Sequence, residues 1–203
     1  MATSKPTKRK QQRIETRQRI FDTAMGLFTR KGYTKVSVND ICEKAGVSKG
    51  TFYYHFKSKS QVLSEHFLKI DDFYTVLIEQ LNKEEKSPTR RLVTFTTKSF
   101  SYVNDLGVKI TKIIWHSQIN PLEKKPDMAN PRRPVYGILE QLIREGQEQG
   151  ELRRDVSAET MADLYVRCYR GIIYEWCLHN GKFDIIEACE DFTKLVIEGF
   201  KKQ

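Results

Sequence analysis

Long apolar runs are missing from this chain. A membrane span needs about 18 unbroken apolar residues, and the richest stretch here, Tyr165 to Leu178, is interrupted by Arg167, Arg170 and Glu175. Cysteine is scarce as well: the four, at positions 42, 168, 177 and 189, stand far apart, and no pair has the two-residue spacing of a zinc clip or a redox dithiol. They are read as reduced core thiols of an intracellular protein. With 6 prolines and 11 glycines in 203 residues, a fibre or a low-complexity polymer is excluded. The basic N-terminus is not followed by the apolar run of about 7 residues that a cleaved secretory signal requires, so the expectation is a cytoplasmic protein with no membrane partner. Catalytic signatures are also lacking: there is no glycine-rich phosphate loop, no nucleophile elbow and no His-Glu-x-x-His. Cys177 and His179 lie two apart on an expected helix and do not face each other. No enzyme activity, metal or cofactor is expected.

Acidic residues are few in one region only. Residues 1–60 hold 14 Lys and Arg against 4 Asp and Glu, a net +10, whereas residues 61–203 hold 21 against 22. The whole basic excess of a chain with net charge +9 therefore sits in its first 60 residues. A polyanion is the natural partner of that segment, and the remainder must do something else.

The periodicity is helical throughout. Residues 1–13 carry Lys5, Lys8, Arg9, Lys10 and Arg13 with almost nothing apolar, and are expected to be a mobile tail that tracks phosphates or only solubilises. Ile14, Phe21, Ala24, Met25 and Phe28 then mark a first helix ending at Gly32. Ser37 and Asp40 form a capping pair for a second helix stopped by Gly46, and Ser48 caps a third reaching Phe56. One long helix is expected from Lys59 to about Lys83, followed by helices near 89–104, 108–118, 134–149, 157–180 and 184–200. Asn120 to Pro134, with four prolines, reads as a loop. The expected fold is all-α: a three-helix head with a helix-turn-helix and a helical-bundle body, about nine helices in total. The corresponding segments are the tail, 1–13, the head, 14–58, and the body, 59–203.

The chemistry concentrates in residues 37–59. Phe52 and Phe56 are i, i+4 neighbours that pin the third helix inward. Lys49 and Tyr53 then take one flank, Thr51 and His55 the other, and Gly50 with Tyr54 the outer face. Such a surface offers donors for base edges and phosphates, with no side chain at Gly50 to hold the backbone out of a groove.

Phe28 through Gly32-Tyr33, Val38-Asn39-Asp40-Ile41, Ala45 through Phe56 and Lys57-Ser58-Lys59 resemble the DNA-binding head of the TetR (tetracycline-repressor) family of bacterial transcription regulators. The resemblance covers residues 14–62; beyond residue 65 it is architectural only. It implies a homodimer that binds a near-palindromic operator and releases it when a small molecule of unknown identity enters the body. A constitutive DNA-binding protein without an effector is the alternative. Carried over by position, the resemblance assigns DNA contacts to Asn39, Ser48, Lys49, Gly50, Thr51, Tyr53, His55 and Lys59, with packing as the competing role for His55 and Tyr53. Large aromatics with a few polar groups suit a small-molecule cavity. Phe95, Tyr102, Trp115, His116, Tyr136, Arg167, Arg170 and Tyr174 are the candidate lining, with core packing or a surface Asp163–Arg167 pair as competing roles. The last two helices, within residues 157–200, are expected to pair with those of a symmetry mate in a four-helix interface, with the stripe Ile185, Cys189, Phe192 and Val196 on the last as the candidate dimer face and a monomeric core as the competing role.

Overall fold

The computed structural model describes residues 8–119 and 128–201. Over these residues the chain forms nine helices: α1 (Lys8–Lys31), α2 (Val38–Ala45), α3 (Lys49–His55), α4 (Lys59–Glu84), α5 (Pro88–Leu106), α6 (Val108–Ile119), α7 (Pro134–Glu148), α8 (Ala158–Leu178) and α9 (Ile185–Phe200). Among the described residues there is no strand, only one isolated bridge between Leu152 and Lys201. All nine expected helices are present. Residues 1–7 of the expected tail and 120–127 of the expected loop lie outside the described residues.

α1 starts earlier than expected, at Lys8, so residues 8–13 are helical. Apolar spacing carries no signal there because nothing in α1 is buried before Ile20, and Ile14, expected on the inward stripe, is half exposed. Lys, Arg and Gln are good helix formers, and Gln11 donates to Glu15 one turn on at 3.0 Å.

The chain divides into two compact units with the boundary inside α4, after His66. The head therefore extends past residue 58, where the domain boundary is expected from sequence: Val62 and Leu63, on the first turns of α4, are buried and belong to it. Its interior also holds Ile20, Phe21, Ala24, Leu27, Phe28, Ile41, Phe52 and Phe56.

In the body α7 packs on α8, and α5 packs on both α7 and α9. One apolar core gathers Tyr74, Leu92, Phe95, Leu139, Leu142, Ile143, Met161 and Tyr165. A second gathers Phe100, Ile173, Trp176, Cys177, Ile185 and Cys189. Gly146 is required where α7 meets the next segment, because a Cβ there would lie 2.7 Å from Leu152 Cδ1. The body also buries hydroxyls in matched pairs: Thr96 with Tyr165 at 2.7 Å, and Tyr74 with Tyr169 at 3.3 Å. Burial pushes the Tyr165 phenol up to about 12, so these groups serve as neutral hydrogen-bonding pairs.

Three of the four cysteines are buried and Cys168, on α8, is exposed; burial raises the Cys177 and Cys189 thiols to about 11.

Candidate functional site

The head's helix-turn-helix is set by local chemistry. Ser37 Oγ accepts from Asp40 N at 3.2 Å while the Asp40 carboxylate accepts from Ser37 N at 2.7 Å, a reciprocal cap that starts α2. Gly46, at φ +64°, ends it in the left-handed conformation, its N–H satisfying carbonyls of the last turn. Ser48 Oγ then accepts from Thr51 N at 3.1 Å and caps α3.

α3 has seven residues, too few to be stable alone. Phe52 and Phe56 fasten it from inside, both fully buried. Arg17 of α1 fastens its end: the guanidinium lies 4.4 Å from the Phe56 ring centroid, donates to the His55 carbonyl, and pairs with Glu65 of α4 through Nε and Nη2. Arg17 was missed in the sequence because its partners stand 38 and 48 positions away.

Lys49, Gly50, Tyr53 and Tyr54 are exposed on α3, and Asn39 is exposed on α2. Tyr54, 68% exposed, shows the most surface of the large hydrophobics of the head. Its ring meets His55 edge-on at 5.0 Å. Thr51 and His55 are half-buried. Burial first, then the cations Arg17 and Arg13, lower the His55 pKa, which keeps the imidazole neutral at pH 7. Ser48 and Thr51 share a hydroxyl contact of 2.9 Å, so their side chains are engaged in the cap.

Lys59 is placed differently from its expected role on the DNA backbone. Its Nζ donates to the carbonyls of Tyr33 and Val36, both at 2.9 Å, and sits 4.4 Å from the Tyr33 ring centroid. The ammonium ties the α1–α2 link to the start of α4.

In the body the expected lining residues do not form one group. Phe95 is buried in the first core against Tyr74, and Trp115 packs on the second core and meets Tyr174 at 5.7 Å. His116 is exposed, as is Arg167, which pairs with Asp163 at 3.5 Å. A coherent cluster does form elsewhere. Arg170 donates to the Tyr136 hydroxyl at 2.8 Å and to the Met128 carbonyl. Arg133 pairs with Asp71 of α4 at 2.8 Å, and Tyr102 meets Phe73 at 4.7 Å. Asp71, Tyr74, Arg133 and Tyr169 carry no local sequence signal, since they converge only through the packing of α4, α7 and α8.

The candidate dimer stripe faces inward. Ile185 is 1% exposed and Cys189 0%; the Phe192 ring meets Tyr165 at 5.1 Å, and Val196 packs on the first core. Amphipathic spacing reveals that a face is covered, not what covers it. The apolar groups pointing outward are instead Leu164, Tyr174 and Leu178 on α8 and Leu195, 72% exposed, on α9. Among the described residues no helix is long and apolar enough to cross a membrane, and no cluster of His, Cys, Asp or Glu could hold a metal.

A family model described as "Bacterial regulatory proteins, tetR family" matches residues 20–65, and one described as "YsiA-like protein, C-terminal region" matches residues 68–199. The chain is 28% identical over 197 residues to the HTH-type transcriptional repressor DhaR of Mycobacterium sp. (strain GP1), covering 92% of each chain. Among solved structures it resembles the regulator FadR of Bacillus subtilis in complex with stearoyl-CoA (TM-score 0.74, 21% identity, 90% and 98% of the two chains). It also resembles the repressor FadR of Thermus thermophilus in complex with lauroyl-CoA (TM-score 0.69, 22% identity, 92% and 96%).

Proposed function

Because the chain belongs to the TetR family of bacterial regulatory proteins and is a ligand-responsive DNA-binding regulator, we propose that the outer face of α3 reads the major groove of a near-palindromic operator. Lys49, Gly50, Tyr53, Tyr54 and His55 form the reading surface, with Asn39 at its edge. Ser48 and Thr51 shape it through the α3 cap, and Lys59 and Arg17 hold it in place. The observation that carries the reading is the capped, inward-pinned α3 whose exposed groups are hydrogen-bonding, on a head that holds all of the chain's basic excess.

Two heads are presented together by a homodimer built on the outward faces of α8 and α9, through Leu164, Tyr174, Leu178 and Leu195. Two-fold symmetry brings such patches onto themselves, and major-groove half-sites recur every 34–36 Å or so along the duplex. An effector enters the body and shifts the body segment of α4, whose first turns belong to the head. A tenfold loss of operator affinity needs about 1.4 kcal/mol of coupling, and operator must weaken the effector by the same factor. The acyl-CoA ligands of the two FadR structures make an acyl thioester the first compound to try. The chain acts without catalysis.

The test is fluorescence anisotropy on a duplex from beside the chain's own gene. Binding should be saturable, salt-dependent and reversed by effector. Equal affinity for an unrelated duplex would remove the operator assignment, and binding that no body ligand alters would leave a constitutive binder.

A further inference from the structure

Arg170 of α8 is a half-buried cation whose hydrogen-bond partners among the described residues are neutral. Its guanidinium donates to the Tyr136 hydroxyl at 2.8 Å and to the Met128 carbonyl, and lies 5.2 Å from the Tyr136 ring centroid. Among the described residues no carboxylate pairs with it. Several arginines of the body differ: Arg133 has Asp71, Arg91 has Glu145 and Arg167 has Asp163, whereas Arg154, which also meets only carbonyls, is exposed. A charge partly removed from water without a counter-charge keeps an unmet demand for an anion.

Tyr136 stands on the first turn of α7, whose N-terminus has no side-chain cap. Burial raises the Tyr74 phenol, the Tyr169 hydroxyl and Arg133 lower it, Asp71 raises it and Arg170 lowers it, which places both guanidinium groups and the Asp71 carboxylate that Arg133 already holds within electrostatic reach of it. Next to these polar groups the wall is aromatic: Phe73 meets Tyr74 at 5.9 Å and Tyr102 at 4.7 Å, and Phe73, Tyr102 and Tyr136 are each only half-buried. Cationic and aromatic surfaces side by side match a molecule that has both an anionic group and an apolar body.

We infer that Arg170, with Tyr136 as its carrier, is the anion-recognition residue of the effector site, and that the effector is an amphipathic anion whose carboxylate or phosphate oxygens replace the Met128 carbonyl on the guanidinium. The inference rests on the body being an effector site, and it adds which chemical group is recognised and by which atom. Loss of the Met128 contact on binding gives the ligand a lever: the segment that enters α7 is released from α8 while Arg133 still ties it to Asp71 on α4. The helix shared with the head thus receives the change.

The experiment titrates the full chain by calorimetry with laurate, lauroyl-CoA, coenzyme A and uncharged 1-dodecanol, followed by operator anisotropy with each. At least one amphipathic anion should bind about tenfold or more tightly than the alcohol, as for loss of a charge-assisted pair. Arg170→Gln should bring that anion down to the level of the alcohol. Arg170→Lys should keep most of the preference, and Tyr136→Phe should leave it intact or strengthen it by freeing the guanidinium. Laurate binding assigns a carboxylate; binding of the thioester but not laurate assigns the coenzyme's phosphates. Unchanged anion affinity in a folded Arg170→Gln protein, alcohol binding as tight as the anions, or no anion binding at all would each overturn the inference. Should Arg170→Gln not fold, the wild-type preference and its retention in Arg170→Lys decide. Failure of the wild-type chain to bind operator would instead defeat the regulatory reading and leave the anion result standing.

Discussion

The head and the body spend their polar side chains in opposite directions. In the head, Lys49, Tyr53 and Tyr54 face solvent around a small apolar center, and the buried faces of α3 are phenylalanine. In the body, Thr96 with Tyr165 and Tyr74 with Tyr169 are paired inside, and the outermost groups of α8 and α9 include leucines. A surface that must meet a rigid, charged duplex keeps its donors ready in water. A region that must admit a small molecule or a second copy keeps its donors within and its apolar groups at the rim.

The strongest way to sharpen this contrast is ionic strength. If the head makes 6–10 phosphate contacts, operator affinity should fall by roughly a thousandfold or more between about 50 and 200 mM salt, whereas dimerisation through leucines should hold or tighten. Anisotropy and sedimentation over the same salt series read the two separately.

The next largest effect separates the two sides of α9 and α8. Ile185→Ala, inside the second core, should cost about 2–5 kcal/mol of stability in denaturant melts. Leu195→Glu, on the outside, should leave the melt of the isolated subunit within about 0.5 kcal/mol and yield monomers by sedimentation. Dimers from Leu195→Glu would move the interface elsewhere.

Within the head, the same logic divides reading residues from holding residues. Lys49→Ala should relax base preference at a cost of about 1–3 kcal/mol. Lys59→Ala should leave preference unchanged and weaken every duplex alike, because it removes the tie between the α1–α2 link and the start of α4 that holds the head in shape. A binding-site selection with each variant distinguishes them.

The smallest effect is a pH dependence. The folded pKa of His55 lies below its unfolded value, so its penalty on the fold is full below the folded pKa and vanishes as pH rises through the unfolded value of about 6.5. Phosphates oppose that shift, so operator affinity should rise severalfold as pH falls from about 7 to 6. His55→Gln should flatten the slope.

Most of the fold was legible because its signals are local. Ser37 with Asp40, Gly46 and Ser48 mark α2 and α3 within a dozen residues, and the 3.6 period marks the rest. The start of α1 was not legible, since a fully exposed helix has no apolar stripe. The exposed face of α3 followed from two phenylalanines and a wheel. Lys59 did not: its cationic type fits a phosphate or a carbonyl equally, and its partners stand 26 and 23 residues away. In the body, Ile185 and Cys189 were recognised as a stripe, but whether a neighbouring helix or a second copy covers it is a tertiary fact. Arg170 was singled out as a cation on an apolar helix; its partners at 128 and 136 came only from the fold.

The uneven burial of the thiols makes this chain its own labelling scaffold. With Cys177 and Cys189 protonated and enclosed and Cys42 buried, a maleimide at neutral pH meets Cys168 first. Cys168 stands one turn from Leu164, on the face proposed to meet the second copy. Its rate of labelling therefore becomes a gauge of whether that face is covered, read with and without effector and without altering a single residue.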